Sequence, residues 1–161
     1  MERVVILAGG NSGAVERRFE HAEQLLGERV GRVVGRSKNY RSVAWGFNCE
    51  AEFVNCAFVV ETALEPEVLL DALQAMEREL GRDREAEQAE RKTTGERYAS
   101  RAIDLDVLLY GERHIRTARL TVPHALLKER DFALTPLGEV LGVSREELLK
   151  IIVRIESNDE H

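Results

Sequence analysis

Arg97-Tyr-Ala-Ser-Arg101-Ala-Ile-Asp104-Leu-Asp106-Val-Leu-Leu-Tyr110 is the stretch whose reading decides the fold. Its second half alternates: Ile103, Leu105, Val107 and Leu109 are apolar, and Asp104 and Asp106 sit between the first three. Strict alternation is the pattern of a strand with two unlike faces. One face enters a core. The other presents two carboxylates whose carrying residues are roughly 7 Å apart along the chain. Like charges held so close raise each other's pKa unless water or a cation compensates. Hard oxygen ligands on a rigid strand suit Mg²⁺, above all where phosphates complete its shell. Arg101, three residues before the first Asp, can supply positive charge to a phosphate. Taken alone, an Asp-x-Asp pair is more often a solvated strand face, because Asp is seldom buried.

Outward from this strand, composition narrows the choices. A chain of 161 residues with 43% hydrophobic and 32% charged residues is expected to fold as one domain over 1–161. Its net charge of −6 argues against a nucleic-acid partner. No apolar run is long enough to cross a membrane. The N-terminus reads as a first strand rather than a secretory signal. Cys49 and Cys56 have no metal-ligand spacing, and reduced thiols in a cytoplasmic protein are the expectation. Between Arg82 and Arg130 there are eleven Lys/Arg against nine Asp/Glu, in an otherwise acidic chain. Such a local surplus beside an Asp pair suits a phosphate-bearing ligand.

In chain order, residues 3–8 form an apolar strand, and Gly9-Gly10-Asn11-Ser12-Gly13 is read as the turn that breaks it. Val15, Phe19, Ala22, Leu25 and Leu26 recur at helical spacing. Residues 30–40 read as a second strand, 41–51 as a loop holding Trp45, and 53–61 as a third strand. In that strand Phe53 and Asn55 share one face, and Val54, Cys56 and Phe58 share the other. Asn55 can either satisfy backbone groups or recognise a ligand edge. Pro66 and Gly81 bracket a second helix, with Gln74 and Glu77 on the flank of its apolar stripe. Residues 82–101 form a long charged connection. His124 lies near Arg119, Thr121 and Arg130, all candidate phosphate donors. Ser144-Arg-Glu-Glu147 is a capping box that opens a C-terminal helix. The order β-α-β-β-α-β, followed by irregular segments and a helix, predicts an α+β fold. It is a ferredoxin-like antiparallel sheet with helices packed on it.

The motifs Arg101-Ala-Ile-Asp104-Leu-Asp106-Val-Leu-Leu-Tyr-Gly111 and Leu120-Thr-Val-Pro-His124, the latter followed by Arg130-Asp-Phe132, carry a resemblance. With weaker support from Gly9-Gly-Asn11, Tyr40-Arg41-Ser42, Phe53-Val-Asn55 and Gly81-Arg82, the sequence resembles the 6-hydroxymethyl-7,8-dihydropterin pyrophosphokinase family over residues 4–137. The resemblance implies transfer of pyrophosphate from ATP to the pterin hydroxymethyl group, with release of AMP, in folate biosynthesis. It implies that Asp104 and Asp106 hold two Mg²⁺ ions and that Arg82 and Arg101 neutralise the transferred group. Gln74, Glu77, Arg84, Arg119, Thr121, His124 and Arg130 match the family's ATP contacts, and Tyr98 matches a loop aromatic that closes over the site. Phe53 and Phe132 correspond to plates around the pterin, Asn55 to its edge contact, and Ser42, Val43 and Trp45 to the pocket lining. The implied partners are ATP and the pterin, and a monomer is the default expectation.

The residue types suit this chemistry. Phosphoryl-type transfer needs in-line positioning and charge neutralisation more than covalent help. A metal pair can clamp attacking and leaving oxygens, and Asn offers both donor and acceptor to a pterin edge. There are departures from the family pattern. Gly10 replaces the usual Ser of Gly-Ser-Asn, and Ser42-Val43 replaces Thr-Pro. Trp45 stands for a smaller aliphatic residue and Tyr98 for a Trp, and the 82–101 connection is longer than in the shorter members. The competing readings are another Mg²⁺-dependent nucleotidyl or phosphoryl transferase and a non-catalytic ferredoxin-like binding module.

Overall fold

The computed structural model describes residues 1–11, 14–46, 49–81 and 103–158, with the backbone alone at 43–46 and 49–52. The strands are β1 (Glu2–Gly10), β2 (Gly31–Arg36), β3 (Tyr40–Gly46), β4 (Cys49–Thr62), β5 (Asp104–Tyr110), β6 (Ile115–Arg116) and β7 (Thr121–Val122). The helices are α1 (Val15–Arg29), α2 (Pro66–Glu79), α3 (Asp131–Leu141) and α4 (Arg145–Glu156), with a 3₁₀ turn at Leu127–Glu129. The main sheet runs β2-β4-β1-β5 and is antiparallel throughout. β4 is long enough to pair β2 along its second half and β3 along its first. β6 and β7 form a separate small ribbon.

Each face of the sheet is covered by a helix pair. Alternate residues of β1 and β4 (Val4, Ile6, Val54, Cys56, Phe58) pack with Phe19 and Leu26 of α1 and with Leu69, Leu73 and Met76 of α2. Their neighbours (Val5, Leu7, Ala57, Val59) pack with Leu134 and Leu137 of α3 and with Leu148 and Ile152 of α4. Each fully buried Leu, Ile or Phe in these layers contributes about 1.5–3 kcal/mol relative to an exposed one. The period-2 pattern of the strands and the 3.6-residue pattern of the helices therefore select the same three layers.

Four features of the element boundaries differ from the sequence expectation. First, Gly9 and Gly10 do not form a turn. They are the last two residues of β1, paired with Asn55 and Val54. Second, 30–40 is not one strand, because Ser37 interrupts it. The Ser37 N–H donates to the Ala57 carbonyl at 2.8 Å, and its Oγ accepts from the Ala57 N–H at 2.9 Å. A hydroxyl thus replaces a backbone carbonyl in the ladder. Third, 41–51 is not a loop but most of a β3–β4 hairpin. Fourth, part of the segment read as irregular is helix α3, despite Pro136 inside it. Proline offers no N–H to the carbonyl four residues back, so the sequence argues against a helix that packing on the sheet nonetheless maintains. Gly142, with φ 67°, ends α3 and lets the chain turn into α4. There the Ser144 half of the capping box forms: Ser144 Oγ accepts from Glu147 N–H at 3.2 Å.

Within β5 the alternation is itself interrupted. Val5 pairs with Leu109 but Ile6 pairs with Val107, so Leu108 is an extra residue. A bulge re-aims the side chains beyond it. Leu109 consequently joins the α3–α4 face, not the face of Ile103, Leu105 and Val107 as the simple pattern implied.

Candidate active site

β5 enters the sheet beside β1, and its register places Asp104 opposite Gly9 and Asp106 opposite Leu7. Gly9 is in turn opposite Asn55 of β4, and Asn55 is opposite Tyr40 of β3. Asp104, Gly9, Asn55 and Tyr40 therefore form one row across four strands. Directly opposite residues lie about 4.5–5.5 Å apart. Phe53, two residues from Asn55 and so on the same face, is opposite Ser42. The bulge falls after Val107, so the alternation at 103–107 survives and both carboxylates project from the α3–α4 side of the sheet. Asp106 is exposed and Asp104 half-buried.

Gly9 has a role in this row that sequence reading missed. A Cβ built on it would lie 2.7 Å from Asn55 Oδ1. The Asn55 side chain thus lies over the bare backbone of β1, and Asn55 itself is only 4% exposed. A glycine within an apolar strand signals a close approach, which is the clue that was available. Just beyond, the Asn11 Oδ1 is buried with no hydrogen-bond partner among the described residues.

On the other side of the sheet, α2 reaches the start of β5 through Glu77. Its Oε2 accepts from the Leu105 N–H at 2.7 Å, and the residue is buried. On the flank of the α2 stripe, Glu77 is thus turned inward. One turn back, Gln74 is exposed and its Oε1 accepts from Arg119 Nη2 at 3.4 Å. Arg119 also donates to Glu67 at 3.0 Å and to Asp71 at 2.7 Å. The Asp71 hydrogen bond is the main cause that holds the Arg119 pKa above its ordinary value.

The ribbon and the turn after it carry the remaining candidates. Thr121 begins β7 and is exposed. His124 Nδ1 accepts from the Leu126 N–H at 3.0 Å. A neutral imidazole with Nδ1 accepting carries its proton on Nε2, which leaves a donor on this exposed residue. Arg130 stands at the N-terminal boundary of α3, and its guanidinium lies 5.9 Å from the centre of the Phe132 ring. Phe132, in the first turn of α3, is 45% exposed, which is unusual for a large apolar ring and fits a surface meant to be covered.

The structure thus brings together Asp104, Asp106, Gly9 and Asn55 on one face, Phe53 with Ser42, and Gln74 with Arg119. Arg82, Arg84, Tyr98 and Arg101 lie outside the described residues, as does the 82–101 connection. Val43 and Trp45 are placed by backbone alone, opposite Glu52 and Glu50. Among the described residues no three His, Cys, Asp or Glu side chains gather to hold a metal. Two hard carboxylates on one strand face suit a Mg²⁺ whose remaining ligands are phosphate oxygens and water.

Comparison with known proteins finds relatives by sequence and by fold. A protein from Methylorubrum extorquens, named 2-amino-4-hydroxy-6-hydroxymethyldihydropteridine pyrophosphokinase, is 36% identical over 141 residues, covering 87% of this chain and 83% of its own. The mitochondrial folate synthesis bifunctional protein of Pisum sativum is 34% identical over 143 residues, 89% of this chain, although the chain spans only 26% of that larger protein. The crystal structure of Plasmodium falciparum HPPK-DHPS with pteroate shares the fold at a TM-score of 0.63 and 13% identity, covering 98% of this chain and 45% of that one. The model of the family described as 7,8-dihydro-6-hydroxymethylpterin-pyrophosphokinase (HPPK) matches residues 5–142, and the chain belongs to that family.

Proposed function

We propose that this chain transfers the β- and γ-phosphoryl groups of ATP, as one pyrophosphoryl unit, to the hydroxymethyl oxygen of 6-hydroxymethyl-7,8-dihydropterin. The hydroxymethyl oxygen attacks the β-phosphorus, the bond from that phosphorus to the α–β bridging oxygen breaks, and AMP leaves with that oxygen. The hydroxyl proton passes to water or to a site carboxylate. The observation that carries this reading is the row Asp104–Gly9–Asn55, which sets the Asp104 carboxylate two strands from a buried amide on one sheet face.

In this reading Asp104 and Asp106 hold two Mg²⁺ ions, which when bound neutralise and align the phosphates. Asn55 offers donor and acceptor to the flat pterin edge, and Phe53 and Phe132 stack on its faces, each ring contributing about 1 kcal/mol. The β3 backbone at Ser42, Val43 and Trp45 borders that pocket. Gln74, Arg119, Thr121, His124 and Arg130 receive the nucleotide, with His124 Nε2–H and Arg130 aimed at phosphate oxygens. Glu77 supports β5 from beneath rather than touching ATP directly. Arg82, Arg84, Tyr98 and Arg101 complete the site from the long connection.

The finer architecture we infer is ferredoxin-like, since β2-β4-β1-β5 with α1 and α2 on one face has the order of a split βαβ pair, here with α3 and α4 added on the other face. We take residues 1–161 as one domain acting as a monomer in the cytoplasm, without a nucleic-acid or membrane partner. The free, buried Cys56 thiol suits a reducing compartment. Among the described residues no helix is long and apolar enough to cross a membrane. The test is nucleotide chromatography after mixing protein, ATP and Mg²⁺ with and without the pterin. AMP appearing only with the pterin is expected; ADP, or pyrophosphate release, contradicts the reading.

A further inference from the structure

Arg119 is the described cation beside Gln74, yet its guanidinium is already occupied. Glu67 takes Nη1 at 3.0 Å, and Asp71 takes Nη2 at 2.7 Å. The clamp is braced from both sides. Thr117 Oγ1 donates to the second oxygen of Glu67 at 3.1 Å, and Thr117 Oγ1 also accepts from the Leu120 N–H at 3.0 Å, across the turn that carries Arg119. On α2, Glu67, Asp71 and Gln74 follow at i, i+4 and i+7, so they share a face. Glu77, which fastens the start of β5, continues that line about 9 Å beyond Asp71. The clamp therefore borders the nucleotide end of the site without belonging to its metal end.

Two carboxylates on one guanidinium leave this corner with a net charge of −1. A polyphosphate that approaches Arg119 meets carboxylates competing for the same N–H donors. Exposed ion pairs are weak, so the carboxylates can be displaced, but at a cost to binding. We propose that Asp71 and Glu67 are positioning residues that hold Arg119 in a carboxylate clamp and so lower the affinity of the protein for ATP. This rests on the reading of Gln74 and Arg119 as part of the ATP site.

The experiment is calorimetric titration of the full chain with ATP and Mg²⁺ in the absence of the pterin, for wild type, D71N, E67Q, R119A and the double variant D71N/R119A. D71N and E67Q should each tighten ATP by about two- to fivefold, the range expected when one screened charge is removed. R119A should weaken it, and D71N should then give no gain in the R119A background. Merely structural carboxylates would give unchanged or weaker binding in D71N and E67Q, and either result overturns the proposal. Tightening by D71N that persists in the R119A background also overturns it, because the effect would not pass through Arg119. Wild-type affinity in R119A overturns the placement of Arg119 in the ATP site, and the clamp proposal with it. Weakening in R119A without tightening in D71N and E67Q overturns the clamp alone.

Discussion

Glu77, a buried carboxylate on α2, accepts a hydrogen bond at 2.7 Å from the backbone N–H of Leu105, the residue between Asp104 and Asp106. Among the described residues β5 is the last strand of its sheet, with β1 on one side only. The Leu105 N–H therefore finds its acceptor in a side chain rather than in a neighbouring strand. Truncation in E77A leaves that N–H buried and unpaired, at a cost of about 1–3 kcal/mol. E77Q retains an acceptor oxygen and should cost distinctly less. Urea unfolding of the two variants checks this ordering; equal losses would mean that the hydrogen bond is not what Glu77 supplies.

Gly9 sets the position of Asn55, since a Cβ there would meet Asn55 Oδ1 at 2.7 Å. G9A must push the amide aside, a strain of roughly 1–3 kcal/mol. Pterin affinity should fall about tenfold or more, since 1.4 kcal/mol corresponds to tenfold. ATP affinity should change little. Separate titrations with the two ligands test this, and parallel losses would point to general damage to the sheet.

Much of this was legible in the sequence because burial is periodic. The apolar stripes of α1 and α2 and the alternation at 103–107 lead directly to the layers and to the face of the Asp pair. The β5 bulge was not legible, since Leu108 and Leu109 are equally apolar and either can face a core. Helix α3 was hidden by Pro136, and the β3–β4 hairpin by a segment of mixed polarity. At the site, the Asp pair, Asn55 and Phe53 stood out by type and place, and Phe132 through the family resemblance. Glu67 and Asp71 did not, because exposed acids on a helix are ordinary until a distant Arg119 closes on them.

Burial pushes the Cys56 thiol above its ordinary value of 9.0, partly opposed by Ser37 and Arg36. The folded state then holds this proton more tightly than the unfolded chain. The stabilisation is fully present below pH 9 and is lost as the pH rises from there through the higher folded value. Unfolding free energy should therefore decline with alkaline pH in wild type, with a shallower decline in C56A. Identical slopes would remove Cys56 as the cause.

Ser144 caps α4 through Glu147 N–H at 3.2 Å. S144A should cost about 1 kcal/mol of stability. Turnover should be untouched, since Ser144 lies outside the candidate site. A thermal melt and an AMP assay on the same sample check both halves.

The central claim is that Asp104 and Asp106, presented side by side by β5, hold the cations that receive the ATP phosphates. The most direct measurement is a count of bound Mn²⁺, as a Mg²⁺ substitute, by electron paramagnetic resonance in the presence of a non-hydrolysable ATP analogue and the pterin. Wild type should hold two ions, and D104N and D106N should each lose tight binding of at least one while their unfolding midpoints stay near wild type. Two tightly held ions in both variants would contradict the account.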